Sequence, residues 1–254
     1  MGSRVWGSTF GWRVLPFEGL KTFWSLIASY VHTARFPIVL KDVKRGYTCR
    51  QISVSDHRDK YERARELVAQ AQVKYGYVGW SNEIDRTYDP YATFFIVEDQ
   101  AGEIVATTRL VHRRDSLVAL ERGFKRDGSQ YSLAEENCLV ADLNSFYFKK
   151  GHQDSLMLLF TTMSRYGILA GIKRAFCMLD KDNKFIERLY LGAGFRFSRR
   201  FQDPIAFPTY HKKIDREAGP EKDNLQPAYW TIMEMEKASI LKMAFLSLRY
   251  QTES

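Results

Sequence analysis

Residues 185–195 read Phe-Ile-Glu-Arg-Leu-Tyr-Leu-Gly-Ala-Gly-Phe. Either Asp182 or Asn183, just ahead of this stretch, can cap the N-terminus of a helix. Four apolar residues then recur at helical spacing and share one face: Phe185, Ile186, Leu189 and Tyr190. Gly192 and Gly194 are predicted to end the helix, and residues 195–197 resume as a strand. The stretch therefore predicts a short helix that leads directly into a strand.

A strand, a helix and a second strand are predicted immediately before this short helix. The first strand covers 138–148, and the second covers 173–179. Between them, Asp154 can cap a helix at 155–170, and Gly171 can end it. A helix between two strands commonly joins neighbours that run parallel. The unit therefore predicts two parallel strands at the centre of a sheet.

The N-terminal half adds a hairpin of strands at 93–98 and 103–111, which flank a turn containing Gly102. The other predicted elements are, in chain order, a strand at 50–54, a helix capped by Ser55 or Asp56 with apolar positions from Tyr61 to Tyr75, a strand at 228–235 and a helix at 239–250. No element is assigned to 113–137. This order predicts the α/β (α+β) class, with a mixed, mostly antiparallel central sheet flanked by helices.

The Tyr-x-x-x-Gly-Phe motif at 190–195, in this order of elements, resembles the GNAT superfamily. Residues 80–91 narrow the resemblance: they read Trp-Ser-Asn-Glu-Ile-Asp-Arg-Thr-Tyr-Asp-Pro-Tyr, and Arg109-Leu110 follows at the end of the hairpin. This pattern resembles the acyl-homoserine-lactone (autoinducer) synthases and the related N-acyl amino acid synthases, over roughly residues 60–200. The resemblance implies a GNAT-like sheet whose central parallel strands splay apart, and an acyltransferase activity.

Three departures from the lactone synthases shape the expected function. Asp85 and Asp89 are one residue farther apart than in those enzymes, and residues 141–146 carry an acid but no arginine where a Glu-x-Ser-Arg is expected. A glycine-rich pyrophosphate loop is also missing, and residues 149–154, with two lysines, stand in its place. The missing arginine favours an N-acyl amino acid synthase, with a lactone synthase as the alternative. The missing loop favours an acyl carrier protein over CoA as the donor of the acyl-phosphopantetheine thioester, although the two lysines could still meet a phosphate.

Transfer of an acyl group to an amine requires removal of a proton, which a carboxylate can take directly or through water. Glu83 and Asp142 are the candidates for this role. Arg109 is the third predicted catalytic residue, because its guanidinium can bind an acceptor carboxylate in a bidentate manner. The alternative is structural, with Arg109 paired to Asp85 or Asp89 so that it holds the loop down.

The resemblance further implies that a backbone N–H near Leu143–Phe146 stabilises the oxyanion. The acidic loop and this strand supply the predicted substrate-binding residues: Trp80, Asp85, Asp89, Leu143, Asn144, Ser145, Phe146 and Phe148. Met and Phe side chains line adaptable apolar pockets well. Five of them are predicted to hold the acyl chain: Met157, Phe160, Met163, Phe176 and Met178. The alternative for most of the five is ordinary hydrophobic core.

The net charge of +8 suits an acidic partner. Lys149, Lys150, Arg199 and Arg200 are predicted to form a rim that docks an acyl carrier protein. Nucleic acid is not expected as a partner, because no nucleic-acid-binding motif accompanies the basic residues. The three cysteines and five histidines show no metal-ligand spacing, so a metal is not expected either.

Residues 1–45 are predicted to form an amphipathic helical extension of an acyltransferase domain at 46–254. The apolar segment at 17–34 is shorter than the ~20 residues that a spanning helix needs, and it lacks a signal-peptide cleavage site. It is interpreted either as a helix packed on the domain or as a helix in a membrane interface. The sequence therefore predicts a cytoplasmic protein, with peripheral contact to the inner face of the membrane as an alternative.

The predicted function is transfer of an acyl group, often long-chain, from acyl carrier protein or acyl-CoA to the amine of an amino acid or similar small acceptor. No permanently bound cofactor is expected. A protein of another class remains as an alternative: a non-catalytic GNAT-fold domain that senses acyl thioesters or binds a membrane or a protein.

Overall fold

One mixed sheet organises the part of the chain that the computed structural model describes, residues 38–55, 57–79, 85–113, 117–215 and 224–252. Its strands are β1 (Val39–Asp42), β2 (Tyr47–Ile52), β3 (Tyr77–Val78), β4 (Ala92–Glu98), β5 (Ile104–His112), β6 (Val140–Phe148), β7 (Arg174–Leu179), β8 (Arg196–Phe197), β9 (Ile205–Lys213), β10 (Leu225–Glu236) and β11 (Gln251–Thr252). Their spatial order is β11-β1-β2-β4-β5-β6-β7-β10-β9-β3, and β8 pairs with β10.

Five α-helices accompany the sheet in the described ranges: α1 (Arg58–Lys74), α2 (Ala119–Arg122), α3 (Ser155–Leu169), α4 (Lys184–Ala193) and α5 (Lys237–Phe245). The short helix predicted after residue 183 is α4. Its Asn183 side chain caps the N-terminus by accepting from the Ile186 N–H at 3.2 Å, and Gly194 adopts the left-handed conformation at its end with φ 100°.

One predicted cap is wrong, and a second is right in position but makes no capping hydrogen bond. The N-cap of α1 is His57 rather than Ser55 or Asp56, and it makes no side-chain capping bond. Asp154 stands at the N-cap of α3 but also makes no capping bond. Its carboxylate instead accepts from Arg45 Nε at 3.2 Å, so an ion pair competes with the capping geometry.

β6 and β7 run parallel, as the β-α-β unit predicts, and every other strand pair in the described residues is antiparallel. The ladder between β6 and β7 ends at the Leu143–Cys177 pair, although β6 continues to Phe148 and β7 to Leu179. The two central strands therefore separate at their C-terminal ends.

A β-bulge in β6 lies just beyond that last rung. Thr107 pairs with Tyr147 and Arg109 with Asn144, so two residues of β6 face one residue of β5 between these pairs. Ser145 has φ 52° and is the only non-glycine residue with positive φ in the described ranges. A bulge with a left-handed residue bends its strand and resets which face each side chain occupies.

Apolar cores lie on both faces of the sheet, because successive side chains along a strand point to opposite faces. Phe95 and Val97 of β4 pack with α3 and α5 in the largest core, whereas Phe94 and Ile96 pack with α1 on the other face. A third core lies around α2 and includes Val140 of β6.

β1 lies within the range predicted as the N-terminal extension, and it pairs with β2. The division at residue 45 stays a prediction.

Candidate functional site

Arg109 is completely buried and lies at the centre of a charged cluster. Its Nη2 donates to Asp85 Oδ1 at 2.6 Å, and its Nη1 donates to Asp89 Oδ1 at 2.8 Å and to the Asp85 carbonyl at 3.0 Å. Its Nε donates to Asn144 Oδ1 at 2.7 Å. The structural alternative for Arg109 is therefore present: it pairs with both aspartates and ties them to β6.

Two residues of α1 complete the cluster. Arg65, 4 % exposed, pairs with Asp85 at 3.0 Å and with Asp89 at 3.3 Å, and the Tyr61 hydroxyl donates to Asp89. Sequence reasoning missed Arg65. A signal was present, because residue 65 lies four after Tyr61 and three before Val68, on the apolar face of the helix.

The space left inside this cluster is small. A cavity of about 10 Å³ is lined by residues that include Arg65, Asp85 and Ser145, and the Ser145 hydroxyl lies 3.4 Å from Asp85 Oδ2. That volume is about what one water needs. The described part of the cluster therefore holds residues 85–89 against α1, β5 and β6. It leaves no room for an amino acid.

Asp142 lies near the bulge and is fully buried, unlike the partly buried Asp85 and Asp89. One carboxyl oxygen, Oδ2, accepts from the Ala119 N–H at 3.1 Å. The other, Oδ1, is buried and has no hydrogen-bond partner within the described ranges. Burial raises the pKa of Asp142 to about 7, against smaller lowering effects of the Ala119 N–H, Arg109 and the nearby Asn144 side chain. A carboxyl with this pKa can gain or lose a proton near neutrality.

Aromatic side chains line the separated ends of β6 and β7 on the face that α3 and α4 cover. Phe146 packs with Phe160 at a ring distance of 6.1 Å and with Tyr190 at 6.1 Å. Phe148 stacks on Phe185 of α4 at 5.1 Å. Phe146 and Phe148 face this side because the bulge places Asn144 and Ser145 toward the Arg109 cluster.

Tyr190 adds a phenolic hydroxyl to this aromatic set. It is buried on α4, and burial raises its pKa well above the ordinary value, so it keeps its proton at neutral pH. Sequence reasoning assigned it no role, although it is the tyrosine of the Tyr-x-x-x-Gly-Phe motif.

The five residues predicted to hold the acyl chain do not share one slot. Phe160 and Met163 are buried in the core beneath α3. Phe176 and Met178 belong to the core on the opposite face of the sheet, and Met157 is 45 % exposed. Side chains of β7 whose positions differ by two point to the same face, which here is the face away from α3.

The four residues predicted to dock a carrier lie in two places. Lys149 and Lys150 are exposed and follow the C-terminal end of β6. Arg200 pairs with Glu136, which also pairs with Arg174 at the N-terminal end of β7. Because β6 and β7 are parallel, the two groups are separated by roughly the length of β6, about 25 Å.

Several predicted features lie outside the described residues: Trp80, Glu83 and the apolar segment at 17–34. Within the described ranges, no helix is both long and apolar enough to cross a membrane.

Comparison with known proteins adds a structural relative. No protein-family model matches the chain, and no curated protein sequence matches it. Among solved structures, FeeM, an N-acyl amino acid synthase from uncultured soil microbes, aligns with a TM-score of 0.50 at 15 % identity, over 80 % of this chain and 97 % of that one. The likeness confirms the predicted GNAT-type fold.

Two further structures align less closely. A putative phosphinothricin N-acetyltransferase has a TM-score of 0.47 at 13 % identity, over 75 % of this chain and 98 % of its own. Spermidine N-acetyltransferase from Vibrio cholerae, in complex with CoA and spermine, has a TM-score of 0.43 at 12 % identity, over 77 % and 98 %.

Proposed function

We propose that the protein is an N-acyltransferase that moves an acyl group from a phosphopantetheine thioester to the amine of an amino acid or similar small acceptor. One observation carries the proposal: the β6–β7 ladder ends beside a buried carboxyl whose pKa is about 7. The fold shared with FeeM, an N-acyl amino acid synthase, agrees with it.

The reaction would take place where β6 and β7 separate. The amine nitrogen attacks the thioester carbonyl carbon, and a backbone N–H of β6 beyond Leu143 stabilises the oxyanion. The amine proton passes to Asp142, directly or through water, because its Oδ1 has no other partner in the described chain. The carbon–sulfur bond then breaks, and the Tyr190 hydroxyl protonates the departing thiolate.

Arg109 acts in this proposal as a positioning residue. Its guanidinium joins Asp85 and Asp89 to Asn144, the residue just before the bulge. By fixing Asn144 it fixes the backbone that follows, where the oxyanion would form. Trp80 and Glu83 remain proposed site residues, five and two residues ahead of Asp85 in the chain.

The donor arm would lie along the aromatic set between α3 and α4, and its thioester would point at the bulge. Phe146, Phe148 and Phe160 offer apolar contact there for the arm and the start of the acyl chain. We propose an acyl carrier protein as the preferred donor, because Lys149 and Lys150 are exposed where the arm would enter and the glycine-rich loop for a pyrophosphate is missing.

Mass spectrometry of lipid extracts from an expressing host tests the function. New N-acyl amino acids are expected with the unaltered protein, and their amount should fall at least about tenfold with Asp142→Asn, since general-base catalysis contributes roughly that or more. Glu135→Gln, an exposed acid-to-amide change, is the matched control and should leave the yield unchanged. Acyl-homoserine lactones in place of these products would favour a lactone synthase, and no acylated product would favour a non-catalytic acyl-thioester sensor.

A further inference from the structure

A second cavity lies at the same end of the sheet, just past the C-terminus of β7. Its volume is about 250 Å³, and its walls come from residues 180–182, β3, β9 and β10. Asp180 follows Leu179, which pairs with Thr231 of β10. Asp180 is three residues beyond Cys177, the last residue of β7 that pairs with β6, so the cavity begins about 10 Å along the strand from the point of separation.

The inner wall of this cavity holds a network of ion pairs and hydrogen bonds. Asp180 Oδ2 accepts from the Tyr77 hydroxyl at 2.5 Å and from Lys212 Nζ at 2.7 Å, and Lys212 also donates to Asp182 at 2.8 Å. Burial opposes ionisation of Asp180, yet the Lys212 and Tyr77 hydrogen bonds lower its pKa. The Tyr77 ring stacks on Trp230 at 5.1 Å, which gives the cavity a flat apolar side.

Arg126 is one of three cations that line the cavity, with Lys181 and Lys212, against the two carboxylates of Asp180 and Asp182. It lines the cavity, and its guanidinium lies 5.0 Å from the centre of the Tyr229 ring. In the described part of the chain no carboxylate forms an ion pair with it. A guanidinium held over a ring keeps its planar fork of N–H donors available for a carboxylate.

We propose that this cavity receives the acyl acceptor and that Arg126 binds the acceptor's carboxylate. The inference rests on the proposed acyl transfer and specifies its second substrate: an amine that also carries an ionised acid group. Arg109 cannot supply this contact in the described structure, because its guanidinium is buried and bonded to Asp85, Asp89 and Asn144. The flat Tyr77–Trp230 side would hold the body of the acceptor, with its amine directed toward the end of β6.

The test compares an α-amino acid with the amine left after its decarboxylation, using one small acyl-thioester donor. With Arg126→Ala, the KM for the amino acid should rise about tenfold, the effect of losing a charge-assisted hydrogen bond. The kcat for the amino acid and both constants for the decarboxylated amine should stay unchanged. Arg126→Lys should recover part of the loss. Arg249→Ala, which removes an exposed arginine on another part of the surface, is the matched control.

Direct binding separates this inference from the proposed function. Quenching of tryptophan fluorescence or an NMR titration with the amino acid alone should show weaker binding to the Arg126→Ala protein, with no donor present. If acyl transfer occurs but Arg126→Ala affects both acceptors equally or neither, the acceptor site is wrong and the function stands. If no variant transfers acyl groups but the amino acid binds through Arg126, the function is wrong and the site stands.

Discussion

Asp142 shows how burial can outweigh nearby hydrogen bonds and charges in setting the ionisation of a single residue. Its pKa is raised from 3.8 to about 7, with burial as the main cause. Below about pH 4 the carboxyl is protonated in both the folded and the unfolded chain. Between about pH 4 and pH 7 it ionises only in the unfolded chain, so the free energy of unfolding falls as the pH rises.

Asp142→Asn should therefore stabilise the fold at high pH. The free energy of unfolding should exceed that of the unaltered protein by up to about 4 kcal/mol at pH 8, and the difference should disappear near pH 4. Urea denaturation across this range measures it, with Glu135→Gln as the exposed control. A difference that does not depend on pH would mean that Asp142 ionises normally in the folded state.

The same carboxyl should govern the pH dependence of activity. If Asp142 accepts the amine proton, kcat/KM should rise with pH through about 7, because only the ionised form is a base. The Asp142→Asn protein should lack this limb in a thiol-release assay. A limb that persists in the variant would assign the base to another group, such as Glu83.

Arg109 should matter to stability more than any exposed arginine. Arg109→Ala leaves Asp85 and Asp89 with Arg65 as their remaining arginine, in a cluster where Arg109 is fully buried. Breaking a buried ion pair from one side typically costs 3–5 kcal/mol, about the loss expected here. Arg86→Ala, which breaks the exposed pair with Glu62, should cost less than about 1 kcal/mol. Similar losses in the two variants would contradict a structural role for Arg109.

At the scale of elements, the bulge in β6 decides which side chains reach each face. Ser145 holds it with φ 52°, a conformation that β-branched residues avoid. Ser145→Val should lower the free energy of unfolding by about 1–2 kcal/mol and reduce activity, whereas Ser145→Gly should retain both. Ser145→Ala removes only the hydroxyl near Asp85 and controls for that contact. Equal behaviour of the valine and glycine variants would show that the bulge does not depend on residue 145.

Elements with a strong local pattern were predictable from the sequence. The β-α-β unit of β6, α3 and β7 and the β4–β5 hairpin lie within two residues of the predicted ranges, because periodicity and turn glycines set their limits. β9 was missed, since Pro208 argues against a strand. The proline is tolerated because the β9–β10 register shifts between Pro227 and Tyr229, opposite the part of β9 that contains Pro208.

The candidate site was predictable only in part, because some of its features depend on tertiary packing and leave no local pattern in the sequence. The pairing of Arg109 with Asp85 or Asp89 was one of the two alternatives predicted for Arg109, and the structure contains both pairs. The bulge at Ser145 had no such signal, because a serine can adopt an ordinary strand conformation and only the tertiary packing selects the left-handed one. The orphaned oxygen of Asp142 likewise depends on how α2 packs against β6.

For the whole molecule, the distribution of the +8 net charge bears on the donor. Lys149 and Lys150 are exposed beside the separated strand ends, whereas Arg200 is engaged with Glu136 at the other end of the parallel pair. An acidic carrier that presents its phosphopantetheine arm to the gap would therefore meet the two lysines. Opposite charges at such a rim act mainly on the association rate.

Charge reversal at these lysines provides the corresponding test of donor preference. Lys149→Glu with Lys150→Glu should lower kcat/KM for an acyl carrier protein donor about tenfold or more at low salt and leave a short pantetheine thioester nearly unaffected. Lys173→Glu with Lys237→Glu changes the net charge equally at exposed lysines by the N-terminal end of β7 and is the matched control. Salt should weaken the carrier reaction of the unaltered protein, since the Debye length is ~10 Å at about 0.1 M. Equal or better use of acyl-CoA would refute the preference for a carrier. Equal losses in the two double variants would refute the assignment of the docking contact to Lys149 and Lys150, because net charge alone would then account for the effect.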